Sequence, residues 1–458
     1  MHKTLQLVLL SSCFIYSGVQ AENLIDVFKQ AEQNNPSLKI ANSERLAILE
    51  KKPQAQSQLN PQVSIGGDVT QALNQQNFFT GDTFENTSAG YNVSLSYALY
   101  RRAANIQIKQ ADSQISQSES NYTTAYQNLI ENVAARYFDV LAGNDNVEYA
   151  VSTKTAIQRQ LDQTTQRFDV GLIAITDVQE AQAGYDLAVA DEILARNQRD
   201  NALEALREVT GYYYNELSGL KSEVSLASPD PANIEAWAKT ALEHNPQLEA
   251  AKFSLEIARQ EIERQRAAKK PTVDVVAQHG YRDTLRGDSN PMASYRTQNS
   301  VGVQLSYSLY QGGAIRSRIR EAQQRYTQAM DQVEQVRRTV NRSAHNAYLN
   351  VLANISQVKA LKQALVSTKT ALDAIQTGFD VGTRTSVDVL NAQRDLFAAQ
   401  RNYSRARYDY LLNTLRLKQA AGLIAVDDLA KINKLLVSTE SVNENSDNTA
   451  EETAEENS

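Results

Sequence analysis

The side chains that could bind a metal or attack a substrate are few and scattered. His244, His279 and His345 lie too far apart for metal-ligand spacing and read as surface or satisfied histidines. Cys13 is the single cysteine, so the chain beyond it has no disulfide framework, thiol nucleophile or cysteine metal site. No nucleophile–base pair or phosphate loop emerges, and Gly312-Gly313 reads as a strand-to-helix corner. An enzyme is the least favoured class, and no metal or cofactor is implied. What remains is charge at two turns: Asp177, and Arg384 with Asp388. An Asp in the first turn of a helix is favoured by the helix dipole, so each carboxylate reads first as a solvated helix start.

The turns themselves are alike. Arg167-Phe168-Asp169-Val170-Gly171-Leu172 and Gly378-Phe379-Asp380-Val381-Gly382-Thr383 share Phe-Asp-Val-Gly, and each leads into Asp-Val, at Asp177-Val178 and Asp388-Val389. The offset between copies is 211 positions. The chain therefore reads as a tandem duplication, with a first repeat over 22–221 and a second over 222–434. Each turn joins two long segments, with Gly at the helix C-terminal turn and Asp, Thr or Ser restarting the next helix.

The elements that carry these turns follow from periodicity. The spacing of apolar residues predicts two short helices between Glu22 and Leu49 and again from Trp237 to Ile262. It predicts long helices over about 101–168 and 177–210, then 313–377 and 386–421. In the first, Leu129, Val133, Tyr137, Val140, Val147, Val151 and Leu161 form a coiled-coil seam. In the second long pair, Val340, Ala344, Tyr348, Val351, Ile355, Val358, Leu365, Leu372 and Ile375 do so. A helix of nearly seventy residues is roughly 100 Å long. The returning helices are shorter, so half of each long helix needs another partner, for which the short helices are available.

Strict alternation marks the strands. Tyr91, Val93, Leu95, Tyr97 and Leu99 alternate with small polar residues, as do Val301, Val303, Leu305, Tyr307 and Leu309. Weaker partners precede them, so the strand pairs are expected at about 62–72 with 89–100 and 271–281 with 300–310. Polar loops over 72–88 and 282–299 join them. This is the length and pattern of a membrane-barrel strand. A soluble sandwich strand alternates in the same way, but four strands in an open sheet leave edges that need covering, so closure must come from other copies. Once the N-terminal segment is set aside, no apolar run is long enough for a transmembrane helix.

The ends have their own character. Met1-His2-Lys3, an apolar run from Leu5 to Tyr16 and the small residues before Ala21 have the parts of a signal peptide over 1–21. Leu10-Ser11-Ser12-Cys13 also resembles a bacterial lipidation site, although its apolar run is short. At the other end 435–458 reads as a disordered acidic tail. Its seven acids account for nearly all of the net charge of −7. No basic stripe with interleaved aromatics suggests nucleic acid.

With the signal, the duplication, the strand pairs, the long helices and the Val-Gly turns in hand, the chain resembles the TolC-like trimeric outer-membrane efflux channels, the outer membrane factor family. The resemblance covers essentially all of the chain after the expected signal peptide except the acidic tail. It implies an α+β membrane protein of a Gram-negative outer membrane. In it, four strands per chain make a twelve-stranded barrel in a homotrimer, continued by an α-helical coiled-coil tunnel across the periplasm. The implied function is an exit duct for drugs, toxins or proteins in tripartite efflux and type I secretion, opened at its tip by a periplasmic adaptor and an inner-membrane efflux pump or ABC exporter.

The resemblance also assigns residues. Asp388 matches an aspartate that rings the constriction. Arg384 matches an arginine that holds the tip shut through the neighbouring protomer, at the positions of Thr176 and Asp177. A second acidic ring falls at Asn391, and a gating tyrosine falls at Phe379, which has no hydroxyl. The adaptor-contact tips are Val170-Gly171-Leu172 and Val381-Gly382-Thr383. The alternative class is a periplasmic structural or adaptor coiled coil, which would keep the helices but has no use for lipid-type strands.

Overall fold

The structure, a computed structural model, describes residues 21–76, 83–221, 223–287 and 295–437. The expected signal peptide with Cys13, the middles of the two strand-joining loops and nearly all of the acidic tail lie outside the described residues. In order the chain forms α1 (Leu24–Asn34), α2 (Pro36–Leu49), α3 (Lys51–Ser57), β1 (Gln62–Gln76), β2 (Thr83–Tyr100), α4 (Arg102–Asp169), α5 (Ile175–Thr210) and β3 (Gly219–Leu220). It continues with α6 (Ile234–His244), α7 (Pro246–Ala267), β4 (Thr272–Gly287), β5 (Tyr295–Ser306), α8 (Ala314–Asp380), α9 (Ser386–Ala420), α10 (Val426–Asn433) and β6 (Leu436–Val437). Two compact units share these elements: Ser37–Ala125 with Lys239–Arg342, and Met1–Pro36 with Tyr126–Ala238 and Ser343–Ser458.

The first unit holds an antiparallel sheet of order β1-β2-β4-β5. Its register sorts the side chains. Val63 faces Leu95, Leu95 faces Ala277, and Ala277 faces Val301; the next rank, Tyr97, Val275 and Val303, does the same. Directly opposed residues share a face, so one side of the sheet is apolar. The other side is polar: the Ser64 and Ser94 hydroxyls lie 2.7 Å apart, the Gln278 amide donates to Asn92 at 3.0 Å, and Arg282 pairs with Asp68 at 2.9 Å. Tyr281 stacks between Tyr91 and Tyr295 at 5.9 and 6.4 Å, an aromatic ladder on the apolar face.

All four strands run beyond the expected spans at the end away from the helices, and β5 stops short at the other. Tyr307 and Leu309, expected on the lipid face, lie past Ser306 and outside the strand. The reason is local. Ser306 faces Thr272, and the residue before Thr272 is Pro271, which has no N–H to extend the ladder. Among the described residues no strand lies on the outer side of β5.

In the same unit the short helices flank the early part of α4. Lys52 pairs with Asp112 at 2.8 Å, the Arg45 guanidinium lies 5.0 Å from the centre of the Tyr122 ring, and Gln110 donates to Glu261 of α7 at 3.0 Å. This supplies the second partner that the long helix lacked. The expected short helices end at Leu49, yet α3 forms beyond them, around Pro53. Pro53 sits in the first turn, where a helix leaves its N–H groups without partners in any case.

The second unit packs α1, the later parts of α4 and α8, and helices α5, α9 and α10. Phe28, Ile130, Val133, Tyr137 and Phe138 are buried, and Phe138 stacks on Tyr408 at 5.7 Å. The Tyr137 hydroxyl donates to the Ser218 carbonyl at 2.7 Å. Beside it, Tyr408 donates to Asp145 at 2.8 Å, tying α9 to α4, and Arg407 donates to Ser404 within α9 at 3.0 Å. Burial pushes the Asp145 carboxyl up, against the pull of Tyr408, Ser404 and Arg407.

The seam of α4 holds through Val140 and then shifts. Val147, Val151 and Leu161 are only half-buried, and the buried line passes to Ala150, Ile157, Gln160 and Thr164. The partner at the shifted end is small: Ile157 packs with Ala188, Leu390 and Tyr185. There Gly184 brings α5 so close to α9 that an added Cβ would meet Leu390 at 3.2 Å.

Candidate functional site

Both helix-joining turns lie in the second unit, and both close by the same backbone device. Gly171 has φ 77° and Gly382 φ 81°, the left-handed region that side chains resist. The N–H groups of Gly171 and Leu172 donate to the Phe168 and Arg167 carbonyls at 2.8 and 2.9 Å. Those of Gly382 and Thr383 donate to Phe379 and Gly378 at 3.1 and 2.8 Å. This pair of bonds is the Schellman closure. It projects Val170, Leu172 and Val381 outward, 70%, 73% and 71% exposed. Apolar side chains that open serve no folding purpose.

The helices that leave the turns start differently. Helix α9 is capped by Thr385, whose hydroxyl accepts from the Asp388 N–H at 3.2 Å while the Asp388 Oδ2 accepts from the Thr385 N–H at 3.0 Å. The Thr385 hydroxyl donates to the same oxygen at 3.0 Å. This capping box is the helix-start reading made concrete. The Thr385 N–H, then its hydroxyl, and after them the nearby Arg384 charge hold the Asp388 carboxyl below its ordinary value. Helix α5 begins after Ala174, which has no side-chain cap. Thr176 and Asp177 therefore sit inside its first turn and do not restart it as expected. Thr176 is exposed and Asp177 half-buried.

The two arginines also differ. Arg167 lies over the Phe379 ring at 4.7 Å and pairs with Asp380 at 3.7 Å, so the first turn is tied to the second. Phe379 is buried under it, 7% exposed. Arg384 is exposed, and among the described residues its side chain forms no hydrogen bond or ion pair, with Thr176 and Asp177 of its own chain or with any other group. Its stem crosses Gly378, where an added Cβ would meet Arg384 Cγ at 2.8 Å. Asp388 and Asn391 share a groove of about 200 Å³ with Thr368, Ala371 and Ile375 of α8. Asp395 lines the same groove two turns along α9.

Sequence reasoning missed Gly378, Arg167 and Asp395. Asp395 was findable, since residues seven apart share a helix face. Gly378 and Arg167 occupy equivalent positions in the two copies, a contrast that only the packing explains.

A helical protein carrying a small sheet with one apolar face and two repeated apolar turns is the class of an outer-membrane channel subunit. The family model described as "Outer membrane efflux protein" matches this chain twice, over residues 27–212 and 237–423. The outer membrane protein TolC of Escherichia coli (strain K12) is 40% identical over 448 residues, covering 96% of this chain and 89% of its own. The alkaline protease secretion protein AprF of Pseudomonas aeruginosa is 27% identical over 430 residues, covering 92% and 88%. Among solved structures, the Campylobacter jejuni CmeC outer membrane channel superposes with a TM-score of 0.76 at 17% identity, covering 91% of this chain and 90% of that one. The chain belongs to the outer membrane efflux protein family, a family of transport channels and not of enzymes.

Proposed function

We infer that the protein is an outer-membrane exit duct of a Gram-negative bacterium, serving efflux and type I secretion. The observation that carries this is the four-stranded sheet. On a single chain Val301, Val303 and Leu305 are 83%, 68% and 67% exposed, a wet apolar surface that a periplasmic coiled-coil rod would have no reason to keep. β1 and β5 are its open edges.

Three copies remove both problems. The strands alternate in direction across the sheet, so β5 of one copy meets β1 of the next antiparallel, and the resulting twelve strands form an even-numbered barrel with the apolar face toward lipid. The helices continue below it as a periplasmic tunnel. Arg384, exposed and unpaired in its own chain, reaches Thr176 and Asp177 of the neighbouring copy and latches the tip. Asp388 rings the mouth and filters cations. Asn391 leaves the second ring uncharged, and Phe379, lacking a hydroxyl and stacked under Arg167, supports the turn. Val170-Gly171-Leu172 and Val381-Gly382-Thr383 receive a periplasmic adaptor, which couples the duct to an inner-membrane efflux pump or ABC exporter.

Conductance in planar bilayers tests the duct: purified trimer should form cation-preferring pores, and a detergent-independent soluble rod without pores would sink the reading. The sheet is tested by Leu95→Arg, which should cost about 2–4 kcal/mol of barrel stability near the membrane midplane. Ser94→Arg, on the polar face, should be tolerated. Equal tolerance of the two in outer-membrane assembly would place the lipid face elsewhere.

A further inference from the structure

All four strand ends nearest the helices lie at one end of the sheet, since Gln62 faces Ser96, Tyr100 faces Val273 and Thr272 faces Ser306. The chain leaves this end through Arg102, the first residue of α4, and through the Gly312-Gly313 corner into Arg316, Arg318 and Arg320 of α8. It enters through Lys269 and Lys270, between α7 and β4. All six cations are exposed, and among the described residues none of their side chains has a hydrogen-bond or carboxylate partner. Arg101 beside them shows what a paired one looks like: its guanidinium meets Asp274 at 2.9 Å.

The placement works against the fold. Neither α4 nor α8 has an acid in its first turn, and each puts arginine there, where the positive end of the helix dipole repels it. Directly above, Tyr97 and Tyr100 are 40% and 43% exposed, and Tyr307 and Tyr310 56% and 85%. Exposed tyrosines bordering an apolar band mark the level of lipid headgroups. Two helix N-termini and six unpaired cations therefore sit just below that level. At the far end of the sheet Arg282 pairs with Asp68, and Arg296 across from it is a single exposed cation away from any helix N-terminus.

We propose that these six cations form a collar that binds the anionic headgroups of the phospholipid leaflet on the helical side of the barrel, preferring phosphatidylglycerol-type lipids to zwitterionic ones. The proposal rests on the barrel reading above and adds a lipid partner to it. The lysines act as point charges, and the arginines offer planar forks to phosphate oxygens. Each cation that reaches an anionic surface raises the attraction roughly fivefold, within a Debye length.

The test uses the full-chain trimer in phosphatidylcholine vesicles, with spin-labelled phosphatidylglycerol or spin-labelled phosphatidylcholine as the probe, and records conductance on the same preparation. The wild-type protein should hold the phosphatidylglycerol probe at least about fivefold more than the phosphatidylcholine probe at low salt, with the preference shrinking as salt rises. Lys269→Gln/Lys270→Gln/Arg316→Gln/Arg318→Gln should bring the ratio close to one while pores persist, and Lys269→Arg/Lys270→Arg should keep it. Should the fourfold variant not assemble, Lys270→Gln and Arg316→Gln singly should each lower the ratio. Equal retention of both probes by wild type, or an undiminished preference in the neutralised variants, overturns the proposal. Absence of pores in the wild-type protein would instead strike the duct reading, because the lipid ratio is measured independently of conductance.

Discussion

The two turns share a backbone and part company in their side chains. Each ends a helix of nearly equal length, 68 residues in α4 and 67 in α8, with a left-handed glycine and a Schellman pair. In the first turn the arginine is spent inside the chain, on Phe379 and Asp380. In the second, the equivalent position is Gly378, and the arginine has moved to position 384, where it lies over that glycine and faces outward without a partner. The following helix is uncapped in the first copy and boxed by Thr385 and Asp388 in the second. Duplication thus preserved the turn and divided the labour: one copy steadies the tip, and the other carries its free charge.

The largest effect should come where the copies agree. Gly171 and Gly382 have open space where a Cβ would stand, so a substitution pays only the local cost of left-handed backbone, about 1–2 kcal/mol. Gly382→Trp or Gly171→Trp should leave trimers intact on a gel and abolish drug resistance in cells, because the bulk blocks adaptor docking. Loss of trimers in either variant would make the glycines structural and nothing more.

The next effect separates the arginines. Arg384→Ser should raise single-channel conductance. A partly exposed ion pair is worth at most about 1 kcal/mol, but three copies in one closed tip sum to roughly 3 kcal/mol, enough to shift an equilibrium about a hundredfold. Arg167→Ser should leave conductance as it was and cost about 1 kcal/mol or less of stability, the value of an exposed cation–π contact with a weak pair. If Arg167→Ser opens the channel as far as Arg384→Ser does, the division between the copies fails.

How much of this was legible in the sequence depends on the period of the signal. Alternation and the three-and-four spacing placed every long helix to within a few residues, and they placed the four sheet strands by their cores, because a buried face imposes its period on the chain. Strand ends were not legible: β5 stops at Ser306 because Pro271 lies across from the next position, a fact about its partner and not about itself. The seam past Gly143 was misread because Val147, Val151 and Leu161 look buried by type, whereas the buried line there passes to Ile157, which packs with Ala188, Leu390 and Tyr185. At the turns the motif located Asp388 and Arg384, but their chemical state was invisible. That Arg167 is satisfied and Arg384 is not depends on which ring and which glycine lie beneath each.

The smallest effect tests whether Asp388 is a cap or a filter, roles that make opposite demands on its pKa. As a cap, its carboxylate accepts from the Thr385 N–H and hydroxyl, which hold it below the ordinary carboxylate value near 4. Such a group contributes its charge, and the stability of its capping box, fully above that ordinary value, and loses both as pH falls through the lowered folded one. As a ring, three carboxylates facing one another would raise one another's pKa. The bonds from Thr385 are direct, whereas the ring acts across a water-filled, screened mouth, so the cap should win. Cation selectivity should therefore stay flat from neutral pH to about 4 and fade only below it. Asp388→Asn should weaken selectivity at every pH, along with block by multivalent cations, and Asn391→Asp should strengthen that block by restoring a second ring. A selectivity midpoint well above 4 in single-channel recordings would show the carboxylates close enough to repel. Selectivity unchanged in Asp388→Asn would move the constriction to another level of the tunnel, with Asp395, two turns along the same groove, the first residue to substitute.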